Sequence, residues 1–194
     1  MLWLGIYFPG LPLEIFSCGA EAETALAVSV QQGGRERIDR CNTAASALGI
    51  HPGMPLAAAL SLHAGLEVRA RDRRREQQAL QGLAAWAYQY SSRISFEPLL
   101  LLLEVGASRR LFGGLSALLE TVEQQLPQLG SPGQWALAPT PVPAGLVARM
   151  KRCSRGRSRD AMRQLIRDLP LNGLTRDAVG GALIQRIGLS NLGD

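Results

Sequence analysis

A chain of 194 residues with 46% apolar and 19% charged side chains is long enough for a substantial core and too apolar to stay disordered. No apolar stretch reaches the roughly 18 residues of a membrane helix, which excludes a helical membrane span. The net charge of +5 is unevenly placed: residues 1–139 carry 11 basic and 12 acidic side chains, and residues 140–194 carry 10 and 4.

The first thirteen residues contain no charged side chain, the first acid being Glu14. Leu2–Phe8 reads as a buried strand ended by Pro9-Gly10. Further strands are predicted at Leu26–Val30, Leu66–Arg69, Arg93–Glu97, Leu99–Val105 and Trp135–Ala138. Between them, Asn42–Leu48 and Pro55–Leu62 look like a compact helical insert around Gly49–Gly53. Leu80, Leu83, Ala84 and Ala87 give one amphipathic helix behind Arg73-Arg74-Arg75, and Leu115–Leu126 gives a second, ended by Pro127 and Gly130. Leu146, Val147 and Met150 suggest a third. A short helical face at Met162–Leu169, a connector at Leu169–Gly173 and a last helix around Val179–Ile187 complete the pattern. Strands mixed with helices, and two strands joined near Pro98, predict an α+β class and not a doubly wound sheet.

Three cysteines, Cys18, Cys41 and Cys153, are too scattered for a zinc signature or a disulfide framework. With no basic leader or cleavage signal at the start, they suit a cytoplasmic protein. His51 and His63 have no acid or cysteine cluster around them in sequence, and no phosphate-loop or dinucleotide motif is present. Glu97 and Glu104 end successive strands. They are either a pair that anchors a divalent ion or the solvated ends of a buried hairpin. Two basic runs stand out: Arg69–Arg75, diluted by Asp72, and Arg149, Lys151, Arg152, Arg155, Arg157, Arg159 and Arg163, diluted by Asp160. The second fits non-specific contact with a phosphate backbone. It also fits an acidic partner, or a merely solvated face.

The order of these segments resembles the Y-family translesion DNA polymerases, and within them the ImuB branch of polymerase-like accessory proteins in bacterial mutagenesis cassettes. The resemblance rests on the apolar first strand, Thr24–Val30, Asn42…Gly49-Ile50…Gly53-Met54-Pro55, Ser95-Phe96-Glu97-Pro98…Leu103-Glu104, Leu111-Phe112-Gly113-Gly114 and Ala138-Pro139-Thr140…Ala148-Arg149. The tail Leu189…Leu192-Gly193-Asp194 is similar to the opening of a helix-hairpin-helix thumb. By that resemblance, 1–168 is a palm with a fingers insert at about 31–75, and 169–194 begins a helical thumb.

The same resemblance implies a degenerate site. The family's two first-strand aspartates fall on Gly5 and Tyr7, and its Ser-x-Asp-Glu on Ser95-Phe96-Glu97-Pro98, so Pro98 replaces the second acid. Glu104 matches an acid that is structural in the family. In the fingers, Thr43 and Ser46 stand where a Tyr and an Arg would meet the incoming triphosphate. Phosphoryl transfer to a 3′-hydroxyl relies on two divalent ions. The expectation is therefore a chain with no cofactor and no catalytic or metal residues, not an enzyme, acting as a scaffold in damage-induced mutagenesis. An active, divergent nucleotidyltransferase and a pure interaction module are the rivals. DNA contact is assigned to Arg149, Lys151, Arg152, Arg155, Arg157 and Arg159. The implied protein partners are the RecA-like ImuA, an error-prone C-family polymerase and the sliding clamp.

Overall fold

The computed structural model describes residues 1–17 and 24–150. Their elements run β1 (Trp3–Tyr7), α1 (Leu11–Ser17), β2 (Leu26–Gln32), β3 (Arg35–Cys41), α2 (Thr43–Ala47), α3 (Leu56–Leu62), β4 (Glu67–Ala70) and α4 (Arg73–Ala87). There follow β5 (Ile94–Glu97), β6 (Leu100–Glu104), α5 (Leu115–Gln125), β7 (Gln134–Ala138) and α6 (Pro141–Arg149), with short 3-10 turns at Ser108–Arg110 and Leu126–Leu129. The mixed α+β class read from the sequence is the observed one. The chain divides into two compact units, Met1–Phe8 with Leu83 onward, and Pro9–Gly82.

In the first unit an antiparallel sheet is ordered β5-β6-β1-β7. Side chains alternate along β1, so Leu4 and Ile6 share one face with Phe8 beyond them, and Trp3, Gly5 and Tyr7 share the other. On the second face α6 packs over Leu100, Leu102, Ala136 and Ala138 through Ala144, Val147 and Ala148. Small residues on the helix let its backbone approach the sheet. β5 and β6 are joined by Pro98-Leu99, a two-residue loop with Glu97 opposite Leu100. Leu99 lies at φ 59, where a side chain is normally strained, yet it is buried and its carbonyl accepts the Phe8 amide at 2.8 Å.

In the second unit β2 pairs antiparallel with β3 and parallel with β4. Gly33 and Gly34, both at positive φ (58 and 75), turn the β2–β3 hairpin. The adjacent glycines thus serve a tight turn whose twist suits the strands. Ala25, Ala27, Ile38, Ala45, Ile50, Ala59 and Leu66 form its core. Neither β3 nor α1 was predicted. β3 is RERIDRC, in which only Ile38 is fully buried, so it has almost no apolar pattern to read.

The expected segments Met162–Leu169, Leu169–Gly173 and Val179–Ile187, and the thumb portion 169–194, lie outside the described residues, as do Cys18 and Cys153.

Candidate functional site

Three of the four positions singled out on the palm-like sheet lie close together. Registers place Glu97 of β5, Leu100 of β6, Tyr7 of β1 and Gln134 of β7 in one row, with Gly5 two residues back along β1. Pro98 follows in the turn. Glu104 is elsewhere. Glu97 pairs with Leu100 beside the turn, whereas Glu104 pairs with Trp3 at the far end of β6.

The two acids therefore cannot share an ion, and they do different things. Glu104 is buried at 8% exposure, not a solvated strand end. Its Oε1 accepts the amides of Leu2 and Gly106, each at 3.1 Å, and its carbonyl accepts the Ser91 hydroxyl at 2.7 Å. It ties down the start of β1, which is a structural role.

Glu97 faces a cation supplied by the chain itself. Arg149, the last residue of α6, donates from Nη2 to Glu97 Oε2 and to the Pro98 carbonyl, both at 3.2 Å. Its Cζ lies 5.0 Å from the centroid of the Tyr7 ring. One guanidinium thus links three of the positions singled out in the sequence: an ion pair to 97, a hydrogen bond to 98 and a cation–π contact to 7. Sequence reasoning missed this. It put Arg149 at the head of a basic tract, and nothing in the sequence signals a contact between segments so far apart.

Gly5 is closed by packing. A Cβ built there would lie 2.6 Å from the Ala144 carbonyl oxygen and 2.8 Å from its carbon. Those are backbone atoms, so no side chain fits unless α6 moves. A paired divalent site of the kind the resemblance implies needs several oxygen ligands converging at 2.0–2.1 Å per Mg²⁺. The residues present do not fit it. The Gln134 Oε1 is buried with no hydrogen-bond partner among the described residues, but it lies three strand spacings from Glu97, about 14 Å. A divalent ion about 4 Å from the Arg149 guanidinium would meet repulsion of roughly 8 kcal/mol at an effective dielectric of 20. Among the described residues no group of three or more His, Cys, Asp or Glu could hold a metal ion.

In the Pro9–Gly82 unit, Thr43 and Ser46 lie exposed on α2. The residue that organises this turn is Asn42. Its Oδ1 caps α2 at the Ala45 amide (2.9 Å) and accepts the Leu26 amide (3.1 Å), and its Nδ2 donates to the Thr24 carbonyl (2.7 Å). The Arg69–Arg75 run is largely engaged. Arg71 grips buried Glu76 through two bonds of 2.7 and 2.9 Å and reaches Asp39 at 3.4 Å. Arg69 pairs with Glu67, and Arg75 lies against Asp72 and over the Phe16 ring. Lys151, Arg152, Arg155, Arg157 and Arg159 lie outside the described residues. His51 is exposed, with Nδ1 3.1 Å from the Pro52 carbonyl. Cys41 packs against the core with Sγ 3.3 Å from the Ile50 carbonyl, and burial pushes its thiol pKa up, the reverse of an activated nucleophile.

The sequence profile of the impB/mucB/samB family matches residues 21–149, about two thirds of the chain. The chain belongs to the impB/mucB/samB family. Solved structures agree in fold. DinB from Sulfolobus solfataricus superposes with a TM-score of 0.71 at 15% identity, over 99% of this chain and 59% of that one. The insertion ternary complex of Dbh DNA polymerase gives 0.72 at 14% identity with the same coverage. A DinB-family error-prone DNA polymerase from Sulfolobus solfataricus gives 0.69 at 15% identity, over 99% and 58%. No curated protein matches the sequence.

This is a Y-family DNA polymerase-like domain, with the mixed α+β fold of that family's palm, and it spans about three fifths of the structures it matches. One expectation is corrected by this finding. The chain was expected not to be an enzyme, but impB/mucB/samB membership and a fold shared with DNA polymerases point to an enzyme. The error lay in inferring a class from a few missing acids when the fold is one shared with DNA polymerases. No helix among the described residues is long and apolar enough to cross a membrane.

Proposed function

We propose that this impB/mucB/samB domain works in translesion synthesis during damage-induced mutagenesis, as an ImuB-type platform that holds DNA and protein partners. Residues 1–168 are the palm with a fingers insert at about 31–75, and 169–194 begin the thumb. The observation that carries the platform role is the β1 face: α6 packs over it and Arg149 reaches Tyr7, Glu97 and Pro98 at its edge. The basic tract Lys151, Arg152, Arg155, Arg157 and Arg159 supplies backbone contacts to DNA. ImuA, an error-prone C-family polymerase and the sliding clamp are the protein partners, and the domain works in the cytoplasm.

Fluorescence anisotropy with primer–template DNA tests this reading. Affinity should fall steeply as salt rises, and neutralising Arg152, Arg155 and Arg157 together should flatten the salt slope by up to about three counterions. Unchanged affinity and slope in that variant would remove the tract from the DNA site. Co-purification with ImuA tests the partner claim separately. A second reading, template-directed nucleotidyl transfer by the protein in its full assembly, is favoured by the fold shared with DNA polymerases. Primer extension with Mg²⁺ or Mn²⁺ distinguishes it from the platform reading.

A further inference from the structure

We infer that Arg149 is the resident cation of the β1 face, and that Tyr7, Glu97 and the Pro98 carbonyl form an arginine clamp at positions where the resembled polymerases gather divalent ions. The inference goes beyond the platform reading and does not depend on which partners bind. It rests on the misfit between a two-metal site and the residues present.

A guanidinium has two chemically distinct surfaces. Its edge offers donors in a fixed plane, and its flat face is attracted to the negative face of an aromatic ring. Arg149 uses both at once: the Nη2 edge meets Glu97 Oε2 and the Pro98 carbonyl at 3.2 Å, and the Cζ stands 5.0 Å from the Tyr7 centroid. Each position that departs from the family's acids suits this use. Tyrosine at 7 supplies a π face that aspartate lacks. Proline at 98 adds no second carboxylate beside Glu97, and its carbonyl accepts from the guanidinium. Glycine at 5 lets the α6 backbone come near enough for the helix end to reach the row.

The charge balance agrees. Among the described residues the Glu97 carboxylate meets the Arg149 guanidinium, whose side chain is only 22% exposed. A metal ion would have to approach Glu97 against that fixed positive charge. The clamp also joins the end of α6 to the β5–β6 turn, a polar bond at the rim of a largely apolar interface.

Two measurements on the full chain decide it. In amide NMR spectra, millimolar Mn²⁺ should leave the resonances of residues 5–7 and 97–100 without site-specific broadening. Saturable broadening centred there and reversed by Mg²⁺ would overturn the inference. In thermal unfolding, Arg149→Gln should lower Tm by about 2–6 °C, because breaking one or two such contacts in a chain of this size shifts it on that scale. Arg149→Lys should recover only part of the loss, since both bonds come from one nitrogen that an ammonium can replace while the planar group over Tyr7 is lost. A Glu97→Gln, Arg149→Gln double-mutant cycle separates this pair from Glu97's other contacts. The double variant should fall little further than Arg149→Gln alone; additive losses would overturn the clamp. Tyr7→Phe keeps the ring and should leave Tm unchanged, whereas Tyr7→Leu should lower it more when Arg149 is present than when it is absent. Both readouts are independent of DNA and partner binding, so they fail or succeed separately from the platform reading.

Discussion

Position 5 holds a hydrogen atom where even a methyl group would collide with the backbone of α6. Gly5→Ala should therefore cost about 1–3 kcal/mol in urea unfolding, as overpacking of a tight interface does. Gly5→Asp should cost more, because it adds a buried charge to the collision. A second cluster makes an equally sharp prediction. Gln125 Oε1 accepts from Trp86 Nε1 and the Tyr90 hydroxyl, both at 2.8 Å, and from Gln89 Nε2 at 3.2 Å. Gln125→Leu would leave these donors without their acceptor and should cost about 2–4 kcal/mol by the same measurement. Burial pushes the Tyr90 hydroxyl pKa up. The unfolded chain then loses this proton at lower pH than the folded one. The stabilisation is complete below the ordinary tyrosine value of about 10 and is lost as pH rises through the higher folded value, with a slope of up to about 1.4 kcal/mol per pH unit. Tyr90→Phe should show a shallower alkaline decline in urea midpoint. An unchanged decline would show that other groups set it.

Among the elements, the two hairpins meet the same geometric demand differently. Gly33-Gly34 places glycine at both positive-φ positions, whereas Pro98-Leu99 places a buried leucine at one. Gly34→Ala should cost about 1–2 kcal/mol, read as a lower urea midpoint, since a Cβ is strained there. Leu99 tolerates its φ because its side chain is buried and its carbonyl is hydrogen-bonded. These elements also show what a sequence can reveal. β1, β6 and β7 are apolar runs buried on both faces, and α4 and α5 carry a helical period, so all were legible. β3 was not: it contributes one buried residue, and its stability comes from pairing with β2 and from bonds to Gly53 and Met54. At the site, Gly5, Tyr7, Glu97 and Pro98 were legible as departures from a known pattern. Arg149, the contact shared by Tyr7, Glu97 and Pro98, was hidden because long-range proximity leaves no local signature.

For the whole molecule, the excess positive charge lies in residues 140–194. Within the Pro9–Gly82 unit, much of the local basic run is already spent on Glu67, Asp39, Asp72 and Glu76. Anion binding should therefore respond far more to charge removal in 151–159 than to removal of Arg69 or Arg71. Comparing the salt dependence of DNA affinity in Arg69→Gln with that of the Arg152, Arg155 and Arg157 triple variant checks this. Arg71 is the wrong place to probe DNA contact at all, because Arg71→Gln would strand buried Glu76 and register as lost stability.

The close seating of α6 on β1 also bears on which mutational paths are open to this chain. An aspartate can return to position 5 only after the backbone at Ala144 and Gly145 has drawn back, and Arg149 would then have to release the β5–β6 turn. The substitutions are thus ordered. A side chain at position 5 that a more distant helix would admit collides with backbone in this chain, so the helix has to move before the residue can change.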